Sequence, residues 1–250
     1  MNRIKISPLA NASLNKGIAE GAEKLPQAET SKNLVGHSDD VTDCSLFVPL
    51  HYTKNYRYPL VVWLHSDGST SEQIQNVMPG LSLRNYTAVA PQSPVGDRNR
   101  GFYWEQTRSC IEATHASVAS AIDQARLRFN IADDRIFIGG FGAAGTMAYR
   151  IGLERPELFA GLISINGPIP ETQTPLSGWK NSRHLELFWA HCRNSITFDQ
   201  AKLCQQLRLL HIGGFSVTLR QYPGDDQLVD SMLSDVNHWI MEMIQTAVTD

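Results

Sequence analysis

The sequence has no closely spaced cysteines, no paired histidines and no long apolar run, and each absence excludes a class of protein. Its four cysteines, Cys44, Cys110, Cys192 and Cys204, form no CxxC pair, so neither a disulfide framework nor a zinc site is indicated. The eight histidines show no HxH or HxxxH spacing, and we expect no bound metal and no cofactor. No stretch of about 18 uninterrupted apolar residues is present that would span a bilayer.

Strong charge of either sign is also lacking. The 22 basic residues nearly balance the 25 acidic ones, and the net charge of -3 provides no electrostatic footprint for nucleic acid or an anionic membrane. The first residues, MNRIKISPLANASLNKG, lack the apolar stretch of a secretory signal. We therefore expect a cytoplasmic protein that binds neither nucleic acid nor membrane, and the sequence does not indicate its oligomeric state.

The chain divides into a polar beginning and an apolar remainder. Residues 1–42 are rich in Ala, Ser, Asn, Glu and Lys without a sustained apolar period, which predicts a polar N-terminal extension. We expect this extension to be disordered, with a strand or lid folded over the domain as the alternative. The whole chain is 42% hydrophobic and 19% charged, so residues 43–250 suffice for one large domain with a buried core.

Within residues 43–250, short apolar runs alternate with helical periods. The predicted strands cover residues 44–50, 58–65, 86–92, 135–141, 159–167, 185–191 and 215–222. Several are apolar on both faces, as central strands of a parallel sheet must be when helices cover both sides. Helical stripes lie between the strands, for example Leu203, Leu207 and Leu210. This alternation predicts a single α/β domain with a mostly parallel central sheet and helices on both faces.

Four of the loops that follow predicted strands carry a resemblance. They are VVWLHSDG (61–68), RIFIGGFGAAGTMAYRIGLERPELFAGLISINGP (135–168), LFWAHCRNS (187–195) and LRQYPGDDQL (219–228). In order and spacing they resemble the oxyanion loop, nucleophile elbow, acid loop and histidine loop of α/β-hydrolase esterases, in the phospholipase/carboxylesterase or polyhydroxybutyrate-depolymerase-like branch. The resemblance covers about residues 43–248 and implies the α/β-hydrolase fold and carboxylic-ester hydrolysis.

The triad positions that this resemblance implies hold other residues. Gly142 stands where the GxSxG elbow has serine, Ser195 where the acid loop has aspartate, and Gln227 where the last loop has histidine. The three roles work as one unit, because a base must take the serine proton and an acid must steady the base. We therefore expect a protein without catalytic activity that binds a small molecule or has a regulatory role.

A ligand site remains without the triad, because the oxyanion hole is built from backbone N–H groups. Ala143 at the start of a helix, and Ser66 or Asp67 in the oxyanion loop, are the predicted donors. Trp104, in the aromatic run GFYWEQT (101–107), is predicted to form the rim. These groups favour a carboxylate or an ester as the ligand.

An active hydrolase with unconventional residues is the first alternative. Cys192 is its candidate nucleophile, with His65 or His191 as the base and Asp226 as a spare carboxylate. The opposite interpretation treats Cys192 as a buried apolar residue and His65 as a hydrogen-bonding group that fixes a loop.

Two further alternatives use other features. Gly140, Gly142 and Gly145 match the GxGxxG dinucleotide fingerprint, but the next predicted strand ends without the acidic residue that would hold a ribose, so we expect no nicotinamide dinucleotide. Phe102 and Tyr103, beside Trp104, suit contact with a partner protein.

Overall fold

The computed structural model describes residues 4–6, 44–170 and 180–249. Its strands in chain order are β1 (Ile4–Ile6), β2 (Cys44–Phe47), β3 (Tyr58–Leu64), β4 (Thr87–Pro91), β5 (Val95–Asp97), β6 (Gly101–Tyr103), β7 (Ile131–Phe141), β8 (Gly161–Ile165), β9 (Glu186–Cys192) and β10 (Ser216–Tyr222). Its helices are α1 (Ile74–Leu81), α2 (Arg108–Arg128), α3 (Ala143–Glu154), α4 (Gln200–Gly213) and α5 (Asp230–Thr249). Short 3-10 turns lie at Ser71–Gln73 and Pro156–Leu158.

Eight strands form one sheet in the order β1-β10-β9-β8-β7-β3-β4-β2. Every neighbouring pair is parallel except β2 with β4. The strands β5 and β6 make a separate antiparallel hairpin. All seven strands predicted from the sequence are present, and the mostly parallel sheet of an α/β-hydrolase fold is confirmed.

The central strand β3 shows why the sheet is covered on both faces. All seven of its residues are buried, and alternate side chains of a strand point to opposite faces. Leu60 and Leu64 pack in the cluster formed with α2, α3 and α4, whereas Val61 and Trp63 pack with α1 and α5. The uninterrupted apolar run therefore serves two separate halves of the core.

Strand β1 falls inside the region predicted to be a polar extension. Ile4–Ile6 pairs in parallel with Val217–Leu219 of β10 and extends the sheet at that edge. The strand alternative therefore applies to these three residues, in place of the disorder that we expected. Residues 1–3 and 7–43, which make up the rest of the extension, lie outside the described residues.

The predicted helical stripes occur in α2, α4 and α5, which alternate with strands as expected. None of the described helices is both long enough and apolar enough to cross a membrane. Because the strands from β7 to β10 and β3 run parallel, the loops after them meet at one edge of the sheet, where ligand sites of such sheets lie.

Candidate functional site

The turn between β7 and α3 is a sharp elbow with Gly142 at its apex. β7 ends at Phe141 and α3 begins at Ala143, so one residue reverses the chain. Gly142 has φ 61° and ψ -126°, a conformation that strains residues with side chains. Its N–H donates to the Ile165 carbonyl at 2.8 Å, and its carbonyl accepts from the Thr146 N–H at 3.1 Å. The apex is therefore held from both sides.

The three glycines around the elbow have different roles. A Cβ at Gly140 would lie 2.7 Å from the Ala144 Cβ, and a Cβ at Gly145 would lie 2.6 Å from the Ser164 Oγ. Both positions need glycine because the helix packs directly on the sheet. A Cβ at Gly142 meets no heavy atom within 4 Å. The GxGxxG spacing thus reflects close packing of the elbow, and the apex has room for a side chain that it does not carry.

The loop after β3 faces the elbow and brings a second backbone donor. The Ser66 N–H donates to the Gln73 Oε1 at 2.8 Å and is occupied. The Asp67 Oδ1 accepts from the Trp104 N–H at 3.1 Å. Within the described part of the chain, neither the Asp67 N–H nor the Ala143 N–H donates to a protein acceptor. Of the two donors predicted in this loop, Asp67 is the one that remains for a ligand.

Asp226 is the carboxylate that the loop after β10 brings to the site. The Asn166 Nδ2 donates to its Oδ1 at 2.5 Å, and the Thr197 Oγ1 donates to its Oδ2 at 3.1 Å. The N–H groups of Ile196 and Thr197 lie 3.3 and 3.4 Å from the same Oδ2. Burial acts to raise the pKa of Asp226, but hydrogen bonds from Ser195, Asn166 and Thr197 outweigh it and lower that pKa below its ordinary value. Asp226 is therefore ionised at neutral pH.

Asn166 positions this carboxylate from the end of β8. Its φ of 55° is in the left-handed region, which asparagine tolerates better than most residues. The Asn166 N–H donates to the Ala190 carbonyl at 2.8 Å, and the Asn166 Oδ1 accepts from the Cys192 N–H at 3.1 Å. Because these two hydrogen bonds fix the backbone and the Oδ1 of Asn166, its Nδ2 is held toward Asp226.

These groups line one cavity of about 710 Å³, within the roughly 300–1,000 Å³ typical of ligand sites. The described residues that line it are Ser66, Asp67, Gln106, Phe141, Gly142, Ala143, Thr146, Arg150, Asn166, Pro168, Ile169, Thr197, Lys202 and Asp226. Two acidic side chains, two basic ones and four apolar ones thus share the wall. The mixture suits a small polar molecule with an apolar part.

His65 is placed behind the wall and fixes a loop. Its side chain is buried, its Nδ1 donates to the Ser66 carbonyl at 2.9 Å, and its Nε2 accepts from the Ser93 N–H at 3.2 Å. Burial lowers the pKa of His65, so the imidazole is neutral at physiological pH. Both ring nitrogens are committed, and His65 is not placed to act as the base considered for it.

His191 and Cys192 are also buried and are absent from the cavity wall. The His191 Nε2 donates to the Phe198 carbonyl at 2.8 Å. Burial, reinforced by the charges of Asp226 and Asp225, raises the pKa of the Cys192 thiol. A protonated, inaccessible thiol is not an activated nucleophile, and the structure brings neither residue to a ligand.

Trp104 does not form the rim predicted for it. Only 2% of its surface is exposed, it is absent from the cavity wall, and its indole N–H donates to the His65 carbonyl at 2.7 Å. A buried indole needs such an acceptor. This corrects the prediction that Trp104 binds ligand: it anchors the loop to the end of β3. Among its aromatic neighbours, Phe102 is half-buried and Tyr103 is 41% exposed.

Ser195 and Gln227 occupy different surroundings. The Ser195 Oγ accepts from the Phe198 N–H at 2.9 Å and from the Asn166 Nδ2 at 3.2 Å, so it braces the Asp226 cluster. The Gln227 side chain is exposed and does not line the cavity, whereas Asp226 does. The last loop therefore brings Asp226 to the cavity, one position before Gln227, which was predicted at the histidine position.

Several lining residues were not predicted from the sequence. They are Asn166, Thr197, Gln106, Arg150 and Lys202. Among the described residues, no group of three His, Cys, Asp or Glu side chains is arranged to hold a metal ion.

The sequence profile of the phospholipase/carboxylesterase family matches residues 53–244. The chain belongs to that family. A comparison with curated protein sequences finds no match. The family assignment and the observed sheet agree on the fold.

Three solved structures illustrate the similarity in fold. Arabidopsis thaliana SOBER1 is 18% identical with a TM-score of 0.64, and the match covers 75% of this chain and 99% of that one. The Bacillus cereus carboxylesterase is 11% identical with a TM-score of 0.68, over 82% and 96% of the two chains. A ferulic acid esterase from Anaeromyces mucronatus is 12% identical with a TM-score of 0.62, over 80% and 86%. At these identities the likeness concerns the fold alone.

Proposed function

We propose that this member of the phospholipase/carboxylesterase family binds a small carboxylate or carbonyl compound in its cavity without hydrolysing it. The observation that carries the proposal is Gly142 at the apex of the elbow. The serine mechanism needs a side-chain oxygen at that apex, because the acyl group is transferred to it. Glycine has no atom that can accept the acyl group.

The hydroxyls near the apex do not replace the missing serine. The Thr146 Oγ1 donates to the Pro168 carbonyl at 2.8 Å, and the Ser66 Oγ accepts from the Gln73 Nε2 at 3.0 Å. Among the described residues, neither hydroxyl has an imidazole partner, and an activated nucleophile needs an adjacent base. Both side chains therefore serve as structural hydrogen-bonding groups.

The backbone N–H groups that could bind a ligand remain, although the triad side chains are missing. Ala143 is the first residue of α3, where backbone N–H groups have no partner within the helix and the dipole favours negative charge. The Asp67 N–H is the second donor, and both residues line the cavity. A carbonyl or carboxylate oxygen fits such donors without any side-chain chemistry.

Ligand-observed NMR titration with butyrate and ethyl butyrate tests the binding. Ala143→Pro removes the N–H at a helix position where proline is tolerated, and Ala143→Gly keeps it. We expect millimolar binding by the parent and by Ala143→Gly, and a loss of about 1.5–3 kcal/mol in Ala143→Pro, the value of a hydrogen bond to a charged group. No binding, or equal binding by both variants, contradicts the proposal.

Hydrolysis by a water molecule that Asp226 activates is the second candidate. The observation that favours it is an ionised carboxylate in the same cavity as two free backbone donors. The lowered pKa makes Asp226 a weak base, which is why we rank this candidate second. An esterase activity that survives Cys192→Ala and disappears in Asp226→Asn would support it.

A further inference from the structure

Arg150 is the charged group of the cavity that the binding proposal leaves unused. It lies on α3 and lines the wall together with Ala143 and Thr146. Positions separated by three and seven residues share one face of a helix. Because a helix rises 1.5 Å per residue, Arg150 lies about 10 Å along α3 from the elbow. The cavity thus extends well beyond the carbonyl site.

The guanidinium is oriented by one neutral neighbour. The Arg150 Nε donates to the Gln106 Oε1 at 3.2 Å, and the Gln106 Nε2 donates to the Trp104 carbonyl at 3.3 Å. Trp104 is in turn anchored to the end of β3 through the His65 carbonyl. This series of hydrogen bonds connects Arg150 through Gln106 to the buried Trp104.

No protein carboxylate neutralises Arg150 within the described residues. Four other described arginines, Arg108, Arg126, Arg135 and Arg155, do make ion pairs, for example Arg155 with Glu157 at 2.6 Å. The acidic groups of the cavity already accept hydrogen bonds from the protein, as Asp226 does from Asn166 and Thr197. The terminal amino groups of Arg150 are thus the charged donors left for a ligand, and their planar fork matches a carboxylate or a phosphate.

We infer that the ligand carries a second anionic group, a carboxylate or a phosphate, that binds Arg150 while its carbonyl end lies at the elbow. The ligand is then an acyl compound with acidic groups at both ends, of the dicarboxylic or phosphono-carboxylic class. Lys202 from α4 also lines this wall. This inference rests on the proposed function, since it assigns the distal end of the same ligand.

Ligands that differ only in their second acidic group test the distal site separately from the proposed carbonyl site. Adipate and hexanoate have the same chain length, but only adipate has a second carboxylate, and 5-phosphonopentanoate replaces that carboxylate by a phosphonate. We expect adipate to bind at least about tenfold more tightly than hexanoate, from one charge-assisted contact. A preference for 5-phosphonopentanoate over adipate assigns the distal group as a phosphate, and the reverse preference assigns it as a carboxylate.

Arg150→Gln and Arg155→Gln are matched variants, since each removes one positive charge from the same region of the chain. Arg155 does not line the cavity. We expect the adipate affinity of Arg150→Gln to fall to that for hexanoate, and that of Arg155→Gln to equal that of the parent. Thermal unfolding of both variants verifies that they are folded.

Two results overturn the inference in different ways. If the parent binds adipate and hexanoate with equal affinity, and Arg150→Gln does not change either affinity, there is no distal site at Arg150. The carbonyl site of the proposed function would still stand. Absence of binding by all three ligands removes the proposed function as well. A loss of adipate affinity in Arg155→Gln equal to that in Arg150→Gln attributes the preference to overall charge and contradicts a site at Arg150.

Discussion

A Gly142→Ser variant places a side chain at the apex of the elbow, where no heavy atom lies within 4 Å of the new Cβ. We therefore expect no cost from overpacking. The backbone cost remains, because φ 61° and ψ -126° are strained for any residue with a Cβ. Strain of this kind costs about 1–3 kcal/mol, and we expect the free energy of unfolding to fall by that amount.

Urea denaturation at 25 °C measures this loss against two other variants. Gly142→Ala should lose as much as Gly142→Ser, since the strain belongs to the backbone and not to the hydroxyl. Gly145→Ala should lose more, because its Cβ would lie 2.6 Å from the Ser164 Oγ and 2.9 Å from the Gly140 carbonyl.

Two results would refute this reasoning about Gly142. A Gly142→Ala variant as stable as the parent would mean that the elbow does not have this backbone conformation. A loss above about 5 kcal/mol, which is exceptional for one substitution, would mean that the apex is not open.

Three further predictions concern other residues of the site. Asp226→Asn should be less stable than the parent at pH 7, and the gap should close in urea titrations as the pH falls below about 4, because the lowered pKa contributes stability only above that range. Trp104→Phe leaves the buried His65 carbonyl without its 2.7 Å donor and should lose about 1–3 kcal/mol of unfolding free energy by the same method. In native protein a thiol reagent followed by mass spectrometry should modify the exposed Cys204 and modify the buried Cys192 only after unfolding; rapid labelling of Cys192 would contradict its burial.

The strands were predictable because each central strand is apolar on both faces, as β3 is. Ile4–Ile6 was not, because three residues are too few to show a period. The hairpin of β5 and β6 was missed for a similar reason, since Val95–Asp97 and Gly101–Tyr103 are only three residues each. Periodicity thus identifies elements that build the core and overlooks those at its edges.

The site was predictable where backbone geometry defines it. Gly142 and Ala143 lie at the elbow as the motif implied, and Asp67 lies opposite them. In the last loop Asp226, named from the sequence only as a spare carboxylate, lines the cavity and Gln227 does not, because the conformation of a loop is not set by any repeating pattern. Arg150 had a detectable signal, its spacing of seven residues from Ala143 on one helix face, but only the fold shows that this face borders a cavity.

The burial of Trp104 shows a different limit. An aromatic cluster near a site suits ligand contact and core packing equally well, and sequence does not distinguish them. The buried backbone acceptor at His65, which the indole satisfies, is visible only once β3 and the loop are placed together.

Hydrolysis of para-nitrophenyl butyrate by the unmodified, rigorously purified protein decides whether the cavity binds its ligand without cleaving it. Gly142→Ser, purified in parallel, serves as the control for contaminating esterase, since it lacks a histidine partner and should be equally inactive. We predict a rate no greater than the residual catalysis of about 10³–10⁴-fold over water that an oxyanion hole provides without its triad. Turnover of about 1–1,000 per second, the range of ordinary enzymes, would contradict the account.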